Sequence, residues 1–141
     1  MRTLTSAVLI ALSSLNLTAQ ADEDTRQRVD MPPMMQEHML ANMRDHMKTI
    51  DGILRALSEK RFDAAAELAE QRLGMSSLDD HGASHMAQMM PAQMQAIGTG
   101  MHRAASRFAL RAQEEDAAAA YQALTEVTGA CVACHAGYRI R

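Results

Sequence analysis

Large aromatic side chains are scarce in this sequence. It has no tryptophan and only two phenylalanines and two tyrosines among 141 residues, whereas thirteen residues are methionine. Valine and isoleucine are also few. Aromatic and β-branched residues favour strands, while alanine, leucine and methionine favour helices. The composition therefore predicts an all-α protein, whose core of small and flexible side chains leaves room for a group other than protein.

An excess of positive charge is also missing. The formal net charge is −3, and Lys48 and Lys60 are the only two lysines beyond residue 30. A nucleic-acid-binding domain usually carries a basic patch or stripe, so we expect no nucleic-acid partner. No segment after the N-terminal twenty residues is long and apolar enough to span a bilayer, and we do not expect a membrane-spanning protein.

The N-terminus has the features of a secretory signal peptide. Arg2 supplies a positive charge, residues 7–17 are mostly apolar, and Ala19-Gln20-Ala21 has the small-x-small form of a signal peptidase site. We predict that residues 1–21 are removed and that the protein is periplasmic. Residues 22–32 follow as a polar leader, which we expect to be frayed over 22–30.

Apolar residues recur at steps of three or four, the helical period, through the rest of the chain. Asp63 and Gly74 are candidate N- and C-caps of the second helix, and residues 75–90 are predicted to be a loop with at most one short helical piece. Gly98 and Gly100 weaken the third helix or allow a close approach of a neighbour or ligand. The four helices are predicted over about 33–59, Ala64–Leu73, about 91–112, and from Glu114-Glu115-Asp116 to the C-terminus. Such helices with short connections predict an antiparallel four-helix bundle over residues 33–141.

The two cysteines occur together in Cys131-Val132-Ala133-Cys134-His135. Cys-x-x-Cys-His is the attachment signature of c-type haem. On a helix, Cys131, Cys134 and His135 share one face. Each thiol can then form a thioether with one haem vinyl group, and the imidazole can bind the iron. The motif predicts one covalent haem c.

Other uses of a Cys-x-x-Cys motif agree less well with this sequence. A redox-active dithiol usually lies at a helix N-terminus beside a βαβ unit, and this chain has no strand pattern. A zinc site needs four nitrogen or sulfur ligands, of which the cysteines supply two. A disulfide across this spacing would strain the helix. No constellation of a general acid, base or nucleophile is present, and we do not expect an enzyme.

The segment Cys131–Arg139 resembles the C-terminal motif of the cytochrome c′ family, Cys-x-x-Cys-His-x-x-aromatic-basic. The resemblance implies a periplasmic four-helix bundle with haem near the end of its last helix, often a homodimer that packs through its first two helices. It implies that Cys131 and Cys134 anchor the haem and that His135 is the proximal iron ligand. Arg139 would border the proximal side of the haem and pair with a propionate, although a basic residue is also favoured there by the helix dipole alone.

The family resemblance leaves the sixth iron position open. An apolar residue of the first helix shields the iron in some members, and a methionine from that helix binds it in low-spin relatives. Counting back from the end of the first helix points to Met43, with Met39, Met47 and His46 as competitors on the same face. Core packing is the commoner role of any single methionine. A bound methionine favours electron transfer with redox partner proteins, whereas an open position favours binding of NO or CO.

Histidines and methionines are also concentrated between residues 81 and 102. Imidazole and thioether ligands suit copper, particularly Cu(I), and His81, His85 and Met89 would follow one helical face. A periplasmic copper-binding module is therefore a third hypothesis. Its alternative is that the methionines are bundle core and the histidines exposed. The segment contains His81, His85, Met86, Met89, Met90, Met94, Met101 and His102.

Overall fold

The computed structural model describes residues 23–141. The predicted signal peptide, residues 1–21, lies outside this range and stays a prediction. The elements are β1 (Gln27–Arg28), α1 (Pro33–Ser58), α2 (Phe62–Arg72), a 3-10 turn (Met75–Ser77), α3 (Ala83–Ala87), α4 (Ala92–Ala112), α5 (Ala117–Gly137) and β2 (Tyr138–Arg139). The prediction of an all-α chain is confirmed for the described part. None of its helices combines the length and apolar character needed to cross a membrane.

The ends of the helices follow local backbone chemistry. After α1 the Arg61 N–H donates to the Ala56 carbonyl at 2.8 Å, and Lys60 takes a left-handed backbone with φ of 58°. This is the helix-ending turn in which glycine is usual. The expected cap at Asp63 is wrong, because α2 begins at Phe62 and Asp63 lies inside its first turn. Leu73, one residue before Gly74, is the C-cap of α2.

The start of α5 is fixed by a side-chain cap. The helix begins at Ala117, later than the predicted start at Glu114, and Asp116 is its N-cap. The Asp116 carboxylate accepts hydrogen bonds from the N–H groups of Ala118 at 2.9 Å and Ala119 at 3.2 Å. These are two of the donors that a helix leaves without intrahelical partners at its N-terminus.

The main core lies among α1, α2, α4 and α5. In this region α1 packs on α2, α2 on α4, and α4 on α5. Phe108 and Ile53 are fully buried there among many alanines. A second buried cluster consists mostly of methionine and contains Val29, Met31, Met39, Met86 and Met94.

The N-terminal leader is not frayed over residues 27–31, which corrects the expectation from its polar composition. Strand β1 pairs in parallel with β2, with Gln27 opposite Tyr138, and the Val29 N–H donates to the Arg139 carbonyl at 2.8 Å. Val29 and Met31 are both buried. Residues two apart on an extended segment lie on the same face. Val29 and Met31 therefore hold the leader against the segment that follows the Cys-x-x-Cys-His motif.

Candidate functional site

The Cys-x-x-Cys-His motif occupies the last two turns of α5. The buried residues of this helix are Ala120, Leu124 and Val127, and Cys131 and Cys134 continue the same stripe at helical spacing. Both cysteines are partly buried and neither forms a disulfide. Tyr121 and Thr128 lie off this stripe, because both residues are exposed.

A cavity of about 450 Å³ opens beside the motif. Cys131, Cys134 and His135 line it from α5, and the other walls come mainly from α1, α4 and the loop around α3. Pockets that hold cofactor-sized ligands usually measure a few hundred to about 1,000 Å³. Gly98 of α4 lines the cavity, and a Cβ atom there would meet nothing within 4 Å. The cavity is therefore open space at this point and not a close helix–helix contact.

The methionine-rich face of α1 forms one wall of this cavity. Met39 is buried, Met43 is partly buried, and Met47 is 70% exposed although it borders the cavity. Met43 and Cys134 both pack against the same methionine-rich cluster. The structure therefore brings Met43 and Met39 to the cavity, whereas most of the Met47 side chain faces solvent.

Basic residues from the leader and from the C-terminal segment line the cavity as well. Arg26 donates to the Asp24 carboxylate at 2.8 and 2.9 Å and to the His135 carbonyl at 3.4 Å. The hydrogen bonds from Arg26 to the Asp24 carboxylate hold the pKa of Asp24 down at about 2. Nε of Arg139 lies 3.4 Å from Asp24 as an ion pair, and it is buried without a hydrogen bond. Arg26 was missed in the sequence because it lies in a segment expected to be frayed.

The surroundings of both thiols disfavour the thiolate form. Burial raises the pKa of Cys131, and burial together with the neighbouring Cys131 raises the pKa of Cys134. Reactive and redox-active cysteines show the opposite shift. Thiols in such a partly apolar wall do not favour the redox-dithiol alternative.

Three histidines from different elements meet at the same cavity. His46 of α1, His81 before α3 and His102 of α4 have ring centroids 4.8, 5.6 and 6.1 Å apart. We call them the histidine cluster. Burial, and then the neighbouring His81 and His102, lower the pKa of His46 to about 4. Burial also lowers the pKa of His81.

The histidine cluster differs from the group expected in the sequence. His85, predicted to act with His81, is exposed and does not line the cavity, and Met89 is partly buried beside the methionine-rich cluster. His46 was considered only as an iron ligand. Within residues 23–141, no group of three or more His, Cys, Asp or Glu side chains is arranged to hold a metal ion.

Comparison of the chain with protein-family models, with curated proteins and with solved structures found no match. Function is therefore inferred from the motif and the cavity beside it.

Proposed function

We propose that the chain is a periplasmic c-type cytochrome that carries one covalent haem and passes single electrons between redox partner proteins. One observation carries the proposal. The residues of the Cys-x-x-Cys-His motif and the methionine-rich face of α1 line the same cavity. A motif without a cavity would have nowhere to hold the macrocycle.

The residues around the cavity fit a haem group. The thiols of Cys131 and Cys134 are unpaired and border a mostly apolar space, and His135 borders it too. Cys131 and Cys134 would hold the group through thioethers, and His135 would be the proximal iron ligand. When bound, the haem supplies reversible one-electron chemistry at its iron.

The chain's own residues would set the surroundings of that iron. Met43 is our candidate for the sixth ligand, because it borders the cavity and packs against the same cluster as Cys134. Arg139 and Arg26 line the cavity and would neutralise the carboxylates of the group in place of Asp24, which pairs with both arginines. The apolar walls would keep water away from the bound group, which limits reorganisation during electron transfer.

The helix contacts agree with a four-helix bundle made by α1, α2, α4 and α5, with α3 in the connection between α2 and α4. This is the arrangement that the cytochrome c′ resemblance implies. A homodimer through the first two helices would cover the exposed apolar side chains Met34, Met47 and Leu54 of α1.

Haem staining after denaturing electrophoresis tests the attachment. The full-length chain is produced in a bacterial host that matures c-type cytochromes. The wild type should stain, a Cys131→Ala, Cys134→Ala variant should lose the stain, and the matched Val132→Ala variant should keep it, because Val132 is exposed between the cysteines. An unstained wild type would refute the proposal.

The absorption spectrum of the reduced protein tests the sixth ligand. A bound methionine gives a sharp low-spin spectrum that CO leaves unchanged, and Met43→Ala should make it high-spin and CO-sensitive. Met34→Ala is the control, since Met34 is 78% exposed. A wild type that shifts promptly with CO would instead support the gas-binding alternative. An unchanged Met43→Ala spectrum would transfer the role to Met39 or His46.

A further inference from the structure

The histidine cluster is held by contacts that a haem site does not require. The His81 carbonyl accepts hydrogen bonds from two side chains of α1, the imidazole of His38 at 2.9 Å and the amide of Asn42 at 3.0 Å. His102 reaches across to the end of α2, where its Nδ1 lies 2.8 Å from the Leu73 carbonyl. Three separate parts of the chain are thus tied together at these rings.

The hydrogen bonds place a proton on Nδ1 of His102 and favour one on Nδ1 of His81. The Leu73 carbonyl only accepts, so Nδ1 of His102 is the donor and its Nε2 keeps a free lone pair. The Ser77 hydroxyl donates to the Gly74 carbonyl at 2.8 Å, so towards His81 it accepts, in a weaker contact of 3.4 Å with Nδ1. Metal-binding histidines characteristically donate their other ring nitrogen to a carbonyl or another acceptor in this way.

The third ring, that of His46, contains a nitrogen for which the fold provides no partner. Nε2 of His46 is buried and has no hydrogen-bond partner. A buried polar atom without a partner costs about 1–3 kcal/mol, so such atoms are rare in folded proteins and call for an explanation. A bound ion would supply the missing partner.

The spacing of the rings suits a shared ion. Metal–nitrogen bonds of about 2.0 Å in a tetrahedral site place imidazole centroids roughly 5 Å apart, close to the observed 4.8–6.1 Å. The nitrogens are not yet gathered around one point. His46 is the ring without a hydrogen bond to hold it, and the last torsion of a histidine side chain is soft. Rotation of this ring would bring its nitrogens closer to those of His81 and His102.

We propose that His46, His81 and His102 form a binding site for Cu(I), separate from the haem iron. Imidazole and thioether ligands suit this ion, and the thioether of Met101 lines the same cavity. Imidazole ligands carry no negative charge to balance that of the ion, and burial makes a divalent ion costlier than a monovalent one. The Asp45 carboxylate, next in sequence to His46, offsets a single charge only in part because it already pairs with Arg72 at 2.6 Å.

Competition for Cu(I) with a chromogenic chelator such as bicinchoninate tests the proposal. The mature wild-type protein is titrated anaerobically with its haem iron kept reduced. It should withdraw one equivalent of Cu(I) from the chelator. His46→Leu should weaken this binding by roughly 100-fold or more, since even outer-shell partners cost 10- to 100-fold. His46 is the best position for this substitution, because its Nε2 makes no hydrogen bond within the protein that the change would break. Ser77→Ala should weaken binding by about 10-fold through His81.

His85→Leu is the matched control, since His85 lies four residues from His81 but is exposed. It should bind copper as the wild type does. No uptake by the wild type, uptake that His46→Leu leaves unchanged, or a clear preference for Zn²⁺ would each overturn the proposal. Uptake through free thiols of Cys131 and Cys134 would be insensitive to His46→Leu. Haem staining reports separately on the proposed electron carrier, so either function can fail without the other.

Discussion

Replacement of His46 by leucine should stabilise the protein while it removes a binding function. The imidazole borders the cavity, and its buried Nε2 makes no hydrogen bond. An apolar side chain at this position leaves no buried polar atom unsatisfied. Relief of one such atom is worth about 1–3 kcal/mol, so at neutral pH and without metal we expect His46→Leu to unfold at a higher urea concentration than the wild type.

The difference between the two proteins should grow as the pH falls. The pKa of His46 is lowered from 6.5 to about 4, by burial first and then by His81 and His102, with Asp45 opposing. The unfolded chain therefore binds more protons than the folded one between pH 6.5 and 4. The contribution of neutral His46 to the free energy of unfolding is fully present well above pH 6.5, and it declines as the pH falls towards 4. Linkage gives a loss of roughly 2 kcal/mol between pH 7.5 and 5 in the wild type, which the variant avoids.

Urea unfolding at pH 7.5 and at pH 5, followed by circular dichroism with a metal chelator present, measures both effects. Wild type, His46→Leu and the exposed-site control His85→Leu are compared with the same haem content. The control should match the wild type at pH 7.5. A His46→Leu protein less stable than the wild type at pH 7.5 would show that Nε2 already has a strong partner, such as the haem iron. An identical difference at both pH values would refute the pKa argument.

Three further predictions concern stability, each read from urea unfolding at pH 7.5. Lys60→Gly should stabilise by up to about 1 kcal/mol, because glycine adopts a positive φ without steric cost; a loss of stability would contradict the left-handed turn after α1. Asp116→Ala should cost about 1 kcal/mol through loss of the α5 N-cap, and Asp116→Asn should recover most of it. Val29→Ala should cost about 2 kcal/mol for its buried methyl groups, whereas the same change at exposed Val132 should shift stability by no more than about 0.5 kcal/mol.

Much of the fold follows from the sequence pattern because helical periodicity and proline positions are local signals. Pro33 and Pro91 mark the starts of α1 and α4 within a residue. The structure differs where the signal is short or competes with a tertiary contact. Strand β1 has only two residues, and it forms because β2 lies beside it, which no local pattern reports. Asp63 was a reasonable cap by residue type, but the turn at Lys60 and Arg61 starts α2 earlier.

The candidate site was predictable to the extent that it lies on one helix. The spacing of Cys131, Cys134 and His135 is a local signal, and the face of α1 around Met43 follows from its periodicity. The histidine cluster is different, since its members are separated by 35 and 21 positions in the sequence. They meet only because the fold brings α1, α4 and the loop before α3 to the same cavity. A neighbouring pair such as His81 and His85 is the most that sequence spacing suggests.

The character of the cavity walls indicates that one occupant does not explain them all. Apolar walls facing water are unfavourable, and a flat apolar group would remove most of that cost for Met39, Met43 and Met94. The apolar surface of the same occupant offers nothing to the imidazoles, because a buried imidazole nitrogen needs a polar partner or a metal. Two of the histidines have such partners on one ring nitrogen, and His46 has none on Nε2. The proposed haem would account for the methionine wall, and the proposed Cu(I) ion would give Nε2 of His46 the partner that it lacks.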